Sequence, residues 1–218
     1  MKQSKLLTAV LALLTAVFLL SAAIALPILV RPFYYLHIEP LGLDEYGATR
    51  EQVISAYDAT LDYLTGLSPT YSSGPLIFSQ SGADHFRDVR GLFLLDLWAA
   101  GISGIVLLAW GLLHRKIPLS PARPLGRGYL FWGSVGLGGT IALVGGLAAL
   151  DFRRAFLLFH TLFFPGTENW LFDWRTDPII ILLPQTFFRN CALLILGVIL
   201  LGCLTCIAYD LYSKKHDD

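Results

Sequence analysis

The chain has 218 residues, of which 55% are hydrophobic and only 15% are charged, and its mean hydropathy is +0.62. This composition excludes an ordinary soluble domain, in which about 25% of residues are charged, and is typical of a membrane protein. The formal net charge is zero, and we expect no nucleic acid partner, because such partners are bound by an excess of basic residues.

Four apolar stretches are long enough to cross about 30 Å of hydrocarbon at about 1.5 Å per residue. The first resembles a signal peptide, because Lys2 and Lys5 precede an apolar run that ends in the small-x-small pattern Ala23-Ile24-Ala25. The apolar run continues to Val30, beyond a typical signal core, so we expect an uncleaved anchor. The four predicted spans are Leu6–Val30, Gly91–Leu113, Tyr129–Leu150 and Phe187–Tyr209.

The positive-inside rule predicts the orientation of these spans. In a four-span arrangement one side of the membrane receives a set of basic residues, and this side is expected to be the cytoplasm, with both chain termini. These residues are Lys2, Lys5, Arg115, Lys116, Arg123, Arg127, Lys214 and Lys215. The opposite, extracytoplasmic side receives an acid-rich segment with Glu39, Asp44, Glu45, Glu51, Asp58, Asp62 and Asp84 against Arg31 and Arg50.

The segment after the first span is predicted to form a small extracytoplasmic α+β cap. Aromatic and β-branched residues at 34–38 suit a short strand or an interfacial aromatic belt, and the apolar residues 76–78 suit another short strand. Between them Thr49 and Gln52 form a capping box that opens a helix, which Gly66 ends. The predicted fold class is therefore an all-α membrane protein with four transmembrane helices and this cap.

Eight segments follow from this interpretation. They are the first transmembrane helix (1–30), the extracytoplasmic cap (31–84), the second transmembrane helix with an outer extension (85–114), a cytoplasmic loop (115–128), the third transmembrane helix (129–150), an extracytoplasmic aromatic loop (151–186), the fourth transmembrane helix (187–209) and a cytoplasmic tail (210–218).

Two histidines are predicted to lie at the same face of the membrane. His85 occurs where the second long helix begins, and Asp88 shares its helical face because the two are three residues apart. A carboxylate beside an imidazole can fix its tautomer and raise its pKa, as a general base requires. His160 is surrounded by phenylalanines, and desolvation there favours the neutral ring. Ion pairing or packing is the alternative role for each histidine.

Other kinds of site have weaker signals. Cys203 and Cys206 have a redox-like spacing, but they lie in an apolar helix without a second pair, which favours packing. The chain has no His-Glu-x-x-His motif, so a zinc site would need folding to bring together ligands from distant parts of the sequence. Its candidate ligands are His37, His85 and His160 with Asp88 or Asp177.

The chain also resembles the bacterial integral-membrane family that includes the lipoprotein intramolecular transacylase. The resemblance covers nearly the whole chain. It rests on four spans with an outer segment after the first, and on the residues Phe78-Ser79-Gln80, His85-Phe86-Arg87-Asp88-Val89, Phe159-His160-Thr161-Leu162-Phe163-Phe164, Trp170-Leu171-Phe172, Asp177, Leu182-Leu183-Pro184-Gln185 and Phe187-Phe188.

This resemblance implies an acyltransferase that moves the sn-2 acyl chain of a diacylglyceryl lipoprotein to the amine of its N-terminal cysteine, giving the lyso-form. His85 and His160 match the family's two functional histidines. We expect His85 to be the base, oriented by Asp88, and His160 the proton donor, although these roles are interchangeable. No cofactor or metal is expected, because the ester is already activated. Trp170, Phe163 and Asp177 are expected to contact substrate, and membrane lipids are expected partners.

Two other functions are compatible with the same residues. The acidic cap could dock a partner protein, with both histidines serving as interfacial structure. A zinc-dependent membrane hydrolase is the third interpretation, and it requires the ligands named above to converge.

Overall fold

The computed structural model describes residues 2–43 and 47–217. Asp44 and Glu45, two members of the acid-rich segment, lie outside the described residues, as does Asp218 of the predicted tail. The side chains of Lys2, Arg115, Lys214 and Lys215, on which the predicted orientation partly depends, are also outside the described part.

The described residues form eight α-helices and two short strands. The helices are α1 (Lys5–Leu29), α2 (Pro32–Tyr35), α3 (Arg50–Leu64), α4 (Gln80–Leu113), α5 (Tyr129–Leu150), α6 (Phe152–Phe163), α7 (Ile179–Leu182) and α8 (Gln185–Asp217). The strands β1 (Lys2–Ser4) and β2 (Leu119–Pro121) pair in parallel with Lys2 opposite Leu119. Single turns of 3₁₀ helix occur at His114–Lys116 and Pro124–Gly126.

Four of these helices are long and apolar enough to cross a membrane. They are α1, α4, α5 and residues Gln185–Ser213 of α8, so the predicted number of membrane helices is confirmed. Helices suit this environment because hydrocarbon offers the backbone no hydrogen bond partner, and a helix satisfies its own N–H and C=O groups.

The strands predicted at 34–38 and 76–78 are wrong. The described residues of 31–84 contain helices and turns but no strand. Pro32 starts α2, and the N–H groups of Leu36 and His37 donate to carbonyls of the preceding turn, at 3.1 and 2.8 Å. The aromatic residues there reflect burial, since Tyr34 is fully buried and stacks on Tyr57 with ring centroids 3.7 Å apart. The cap is therefore not an α+β unit in its described residues.

The capping box that begins α3 is confirmed. The Thr49 hydroxyl accepts from the Gln52 N–H, and the Gln52 side chain accepts from the Thr49 N–H. After the C-cap, Gly66 has a φ of +84°, a left-handed conformation that glycine adopts without strain. Arg31 pairs with Asp58 and Asp62 of α3, which attaches this helix to the residues that follow α1.

The chain divides into two compact units, and each long helix contributes to both. We call residues 1–24, 97–146 and 195–218 the span unit, and residues 25–96 and 147–194 the site unit. The core of the span unit contains Ala23, Leu137, Ile199 and Cys203. In the site unit, Phe187 packs edge-on against the stacked rings of Tyr34 and Tyr57.

Glycines of α5 differ in how closely another helix approaches them. A Cβ atom at Gly133 would collide with the backbone carbonyl of Ala12 in α1, whereas one at Gly136 would meet nothing within 4 Å. Another helix therefore packs closely on α5 at Gly133, whereas Gly136 lies on an open face of the same helix.

The Gly133→Leu variant should lower the unfolding free energy by roughly 1–3 kcal/mol, because the carbonyl of Ala12 is backbone and cannot rotate away. Gly136→Leu is the matched control, since it gains the same helix propensity without a collision. Melting temperatures of the purified variants in detergent would measure both effects. Equal melting temperatures for the two variants would contradict this description of the α1–α5 contact.

Candidate active site

His85 lies in the second turn of α4, inside the site unit. It follows the start of the helix at Gln80 and precedes the apolar span at Gly91, so it belongs to the polar extension of α4. The side chain is buried, with 5% exposed. The rings of Phe164 and Phe172 pack edge-on against its imidazole, with centroids 4.9 and 5.4 Å away.

His160 lies in the last turn of α6, an amphipathic helix that begins with a side-chain cap. The Asp151 carboxylate accepts from the Arg154 N–H at 2.9 Å. His160 is half-buried, and its Nδ1 lies 2.8 Å from the carbonyl oxygen of Phe156. A carbonyl can only accept, so Nδ1 carries a proton and Nε2 is the nitrogen left free to react.

The fold brings the two histidines together. Their ring centroids are 6.1 Å apart, and their planes are inclined by 27°. Trp170 packs on His160, with ring centroids 5.0 Å apart. The result is a pair of imidazoles enclosed by aromatic side chains.

This enclosure controls the charge of His85. Burial lowers the pKa of His85 to about 4, and the neighbouring His160 acts in the same direction, while Asp88 and the Asn169 side chain act to raise it. His85 is therefore neutral near pH 7.

Asp88 is close to the pair but is not hydrogen bonded to His85 directly. Its Oδ2 accepts from Nδ2 of Asn169 at 3.2 Å. Asn169 belongs to residues 164–178, an irregular part of the predicted segment 151–186, and from here on the name aromatic loop means residues 164–178 only. The sequence analysis did not identify Asn169, because an asparagine in an irregular segment has no periodicity or spacing that marks it.

A cavity of about 310 Å³ adjoins the histidine pair. Two of its lining residues, Phe156 and Trp170, contact the ring of His160, and Phe172 contacts His85. The full lining consists of Arg153, Phe156, Leu157, Trp170, Leu171, Phe172 and Gln185. The wall is aromatic and aliphatic with two polar side chains, which suits a ligand that has both an alkyl chain and polar groups.

The three residues expected to contact substrate have different surroundings. Trp170 lies at the cavity and beside His160. Phe163 is 47% exposed and packs on Phe159, at 4.6 Å between ring centroids. Asp177 is buried, with 3% exposed, and its carboxylate accepts from the Ser79 N–H at 2.8 Å and the Thr176 hydroxyl at 2.7 Å.

Asp177 thus holds the residue that precedes α4. A Cβ atom at Gly82 would collide with the Asp177 carboxylate, so the absence of a side chain at Gly82 lets the carboxylate approach the first turn of the helix. This placement suits a structural role for Asp177 rather than contact with a substrate.

The candidate zinc ligands do not converge in the described part of the chain. Within residues 2–43 and 47–217, no group of three or more His, Cys, Asp or Glu side chains is placed to hold a metal ion. His37 instead places its Nδ1 2.6 Å from the Phe33 carbonyl oxygen and packs against Phe187.

Comparison with known proteins identifies relatives over nearly the whole chain. The family model described as lipoprotein intramolecular transacylase Lit matches residues 9–188. The chain is similar to the in meso structure of the membrane integral lipoprotein intramolecular transacylase Lit from Bacillus cereus, with 27% identity and a TM-score of 0.83 over 98% of this chain and 97% of that one.

Two further structures are of variants of that Bacillus cereus protein with one histidine replaced by arginine or by alanine. They are each 25% identical over 98% of this chain, with TM-scores of 0.78 and 0.79, and 94% and 95% of those chains are covered. No protein in the curated collection of sequences matches the chain.

The Asp177→Ala variant should lower the unfolding free energy by roughly 1–3 kcal/mol, because the N–H of Ser79 loses its acceptor in a buried setting. Asp84→Ala in the same region is the control. Asp84 pairs with Arg87 at a surface where the arginine side chain is 65% exposed, so its loss should cost at most about 1 kcal/mol. Thermal unfolding of both variants would test this, and equal losses would argue against a structural role for Asp177.

Proposed function

The chain belongs to the lipoprotein intramolecular transacylase Lit family, and we propose that it acts on diacylglyceryl-modified lipoproteins, whose sn-2 acyl chain it moves to the α-amine of the N-terminal cysteine. The protein is a membrane-integral acyltransferase. Its family membership supports this activity over a docking protein and over a zinc-dependent hydrolase. The observation that carries the proposed mechanism is the pair of histidine rings 6.1 Å apart beside an apolar cavity.

The reaction is an acyl transfer from oxygen to nitrogen within one molecule. A C–N amide bond forms, the C–O ester bond at sn-2 breaks, and one proton passes from the amine to the glyceryl oxygen. Nothing is oxidised or reduced and no water is consumed. The step needs a base for the ammonium proton, a donor for the oxyanion and a proton for the leaving alkoxide.

His85 meets the requirements of the base. Its burial among aromatic rings keeps it neutral at physiological pH, so its lone pair is available when the amine attacks. His160 is the second group. It acts through Nε2, because its Nδ1–H already donates a hydrogen bond to the Phe156 carbonyl. As an imidazolium, it would donate from Nε2 to the oxyanion and then to the departing glyceryl oxygen.

The placement of the two rings supports this division. Their centroids lie 6.1 Å apart, so one ring can take the proton of the amine while the other donates to the glyceryl oxygen in the same step.

The cavity and α6 supply the contacts for the lipid part of the substrate. We assign the cavity beside Trp170 to the ester and the first carbons of the acyl chain, because its wall is mainly apolar. α6 exposes Leu158, Phe159, Leu162 and Phe163, and this face suits the tails of membrane lipids and of the substrate. Phe163 therefore contributes to lipid contact, and Asp177 positions α4.

The proposed orientation has both termini in the cytoplasm and the histidine pair on the extracytoplasmic side. It rests on the basic residues of the 115–128 loop and of the two chain ends. Within the span unit this loop is held to α8, because the buried Asp210 carboxylate accepts from the Gly128 N–H at 2.9 Å. The loop and the C-terminal end of α8 therefore lie on the same side.

Replacing either histidine by glutamine should reduce transfer by about 10²–10⁴-fold, because an amide cannot exchange a proton near neutral pH. A reporter lipoprotein would be co-expressed with His85→Gln or His160→Gln in a bacterium that lacks other N-acylation activity. Substrate and product have the same composition, so tandem mass spectrometry of the N-terminal peptide must locate the acyl chain on nitrogen or on the glyceryl group.

His114→Gln is the matched control for these two variants. His114 follows α4 in the span unit and places Nδ1 near the Trp110 and Gly111 carbonyls, so its replacement should leave transfer near the wild-type level. Membrane extracts should contain all three variants in similar amounts. Full transfer by either active-site variant would reject the assigned pair.

The orientation predicts opposite results for reporters at two positions. Green fluorescent protein at the C-terminus should fluoresce, because it folds in the cytoplasm. Alkaline phosphatase at the same position should be inactive, because it becomes active only outside the cytoplasm. Phosphatase inserted after Leu67, which is 74% exposed in the site unit, should be active. Active phosphatase at the C-terminus would reverse the proposed topology.

A further inference from the structure

We propose that Asn169 is a positioning residue that accepts the Nδ1–H of His85, and that Asp88 acts on His85 through Asn169. This inference rests on the proposed function and deepens it, since it identifies what sets the tautomer of the base. It also revises the expected role of Asp88, which the sequence analysis placed directly against the imidazole.

His85 differs from the other histidines whose side chains are described. His37, His114 and His160 each place Nδ1 within hydrogen bond distance of the carbonyl four residues earlier, at 2.6, 3.2 and 2.8 Å. The Nδ1 atom of His85 makes no such bond. It is buried, and within the described residues it has no hydrogen bond partner. A buried ring nitrogen of this kind requires a partner from elsewhere in the fold.

Asn169 provides the complementary atom. Its Nδ2 donates to Asp88 at 3.2 Å, which turns the amide so that Oδ1 is its remaining acceptor. Oδ1 is also buried and without a partner among the described residues. The Asn169 side chain acts on His85 in the direction that raises its pKa, which is the effect of an acceptor at a ring N–H. One hydrogen bond between these neighbours would satisfy both buried atoms.

The aromatic loop holds Asn169 in place from both sides. The Thr167 hydroxyl donates to the Phe164 carbonyl at 3.1 Å, and the indole N–H of Trp170 donates to the Thr167 carbonyl at 3.1 Å. The N–H of Leu171 donates to the Glu168 carbonyl at 3.0 Å. These bonds form a compact turn around Asn169, so the amide is positioned before any substrate binds.

A fixed Nδ1–H determines which nitrogen of His85 reacts. With the proton held at Nδ1 by Asn169, the lone pair is on Nε2, and His85 is ready to accept a proton there. Asp88 anchors the amide, because its carboxylate can only accept and thus fixes Nδ2 as the donor and Oδ1 as the acceptor. The base is therefore oriented without a carboxylate in direct contact.

The charged or titratable groups that act on His85 are few. Asp88 approaches from its own helix and His160 from α6, and the aromatic loop contributes neutral Asn169 with the rings of Phe164 and Phe172. Asn169→Ala removes an acceptor and should lower the pKa of His85 further. Asn169→Asp keeps an acceptor but adds a negative charge, which should raise that pKa. Opposite shifts of the His85 pKa in the two variants would indicate a positioning role for Asn169, because a general loss of structure would not shift that pKa in opposite directions.

The first test is the tautomer of His85 in the full-length protein. Nitrogen-15 NMR of histidine-labelled wild-type protein in detergent would be compared with the His85→Gln variant to assign the His85 signals. We expect the Nδ1–H tautomer in the wild type, and a loss of that tautomer preference in Asn169→Ala. An Nε2–H tautomer in the wild type would overturn the proposal, and this result needs no Asn169 variant to fold.

The second test is the transfer rate against pH, measured with the reporter lipoprotein. Asn169→Ala should slow transfer by about 10–100-fold, the usual effect of losing an orienting partner. Asn169→Asp should retain more activity than Asn169→Ala but lose it at a higher pH than the wild type as the medium is acidified. Asn190→Ala, a change at the other asparagine of the chain, is the control and should resemble the wild type.

These experiments separate the inference from the function on which it rests. If the wild type transfers the acyl chain but Asn169→Ala is as fast as Asn190→Ala, the role of Asn169 is overturned and the transacylase remains. If the wild type yields no N-acyl product, the proposed substrate fails, and the NMR experiment alone decides whether Asn169 orients His85.

Discussion

One buried carboxylate joins two of the segments that build the candidate active site. Asp177, at the end of the aromatic loop, accepts from the backbone of Ser79 just before α4. Gly82 allows the close approach because a side chain there would occupy the same space. The position of His85 relative to Phe172 and Asn169 depends on this contact, since α4 supplies the first residue and the loop supplies the other two. A buried carboxylate needs such donors to be stable.

The aromatic surroundings of the histidine pair have a chemical purpose as well as a packing role. In a low-dielectric enclosure an imidazole resists protonation. In the proposed mechanism this keeps His85 neutral, so that it can act as the base for the amine that attacks the ester.

Local patterns in the sequence correctly predicted the structural features that depend on a single segment of the chain. The apolar lengths predicted four membrane helices, and Thr49 with Gln52 predicted the start of α3. The strand predicted at 34–38 failed because aromatic residues also occur where a short helix is buried, and the apolar run at 76–78 is irregular backbone with Ile77 and Phe78 exposed. Tyr34 is inside the site unit because it packs on Tyr57 and donates to the Leu182 carbonyl, 148 residues away, and local sequence contains no sign of that partner.

The sequence by itself determined the membrane class, the number of spans and the two histidines, because hydrophobic length and residue type are properties of single segments. Only the tertiary structure decided that His85 and His160 lie 6.1 Å apart, that Asp88 accepts from Asn169, and that Asp177 accepts from the Ser79 N–H. These relations join residues about 75 to 100 positions apart. Their geometry depends on how helices and loops pack, and no local pattern encodes it.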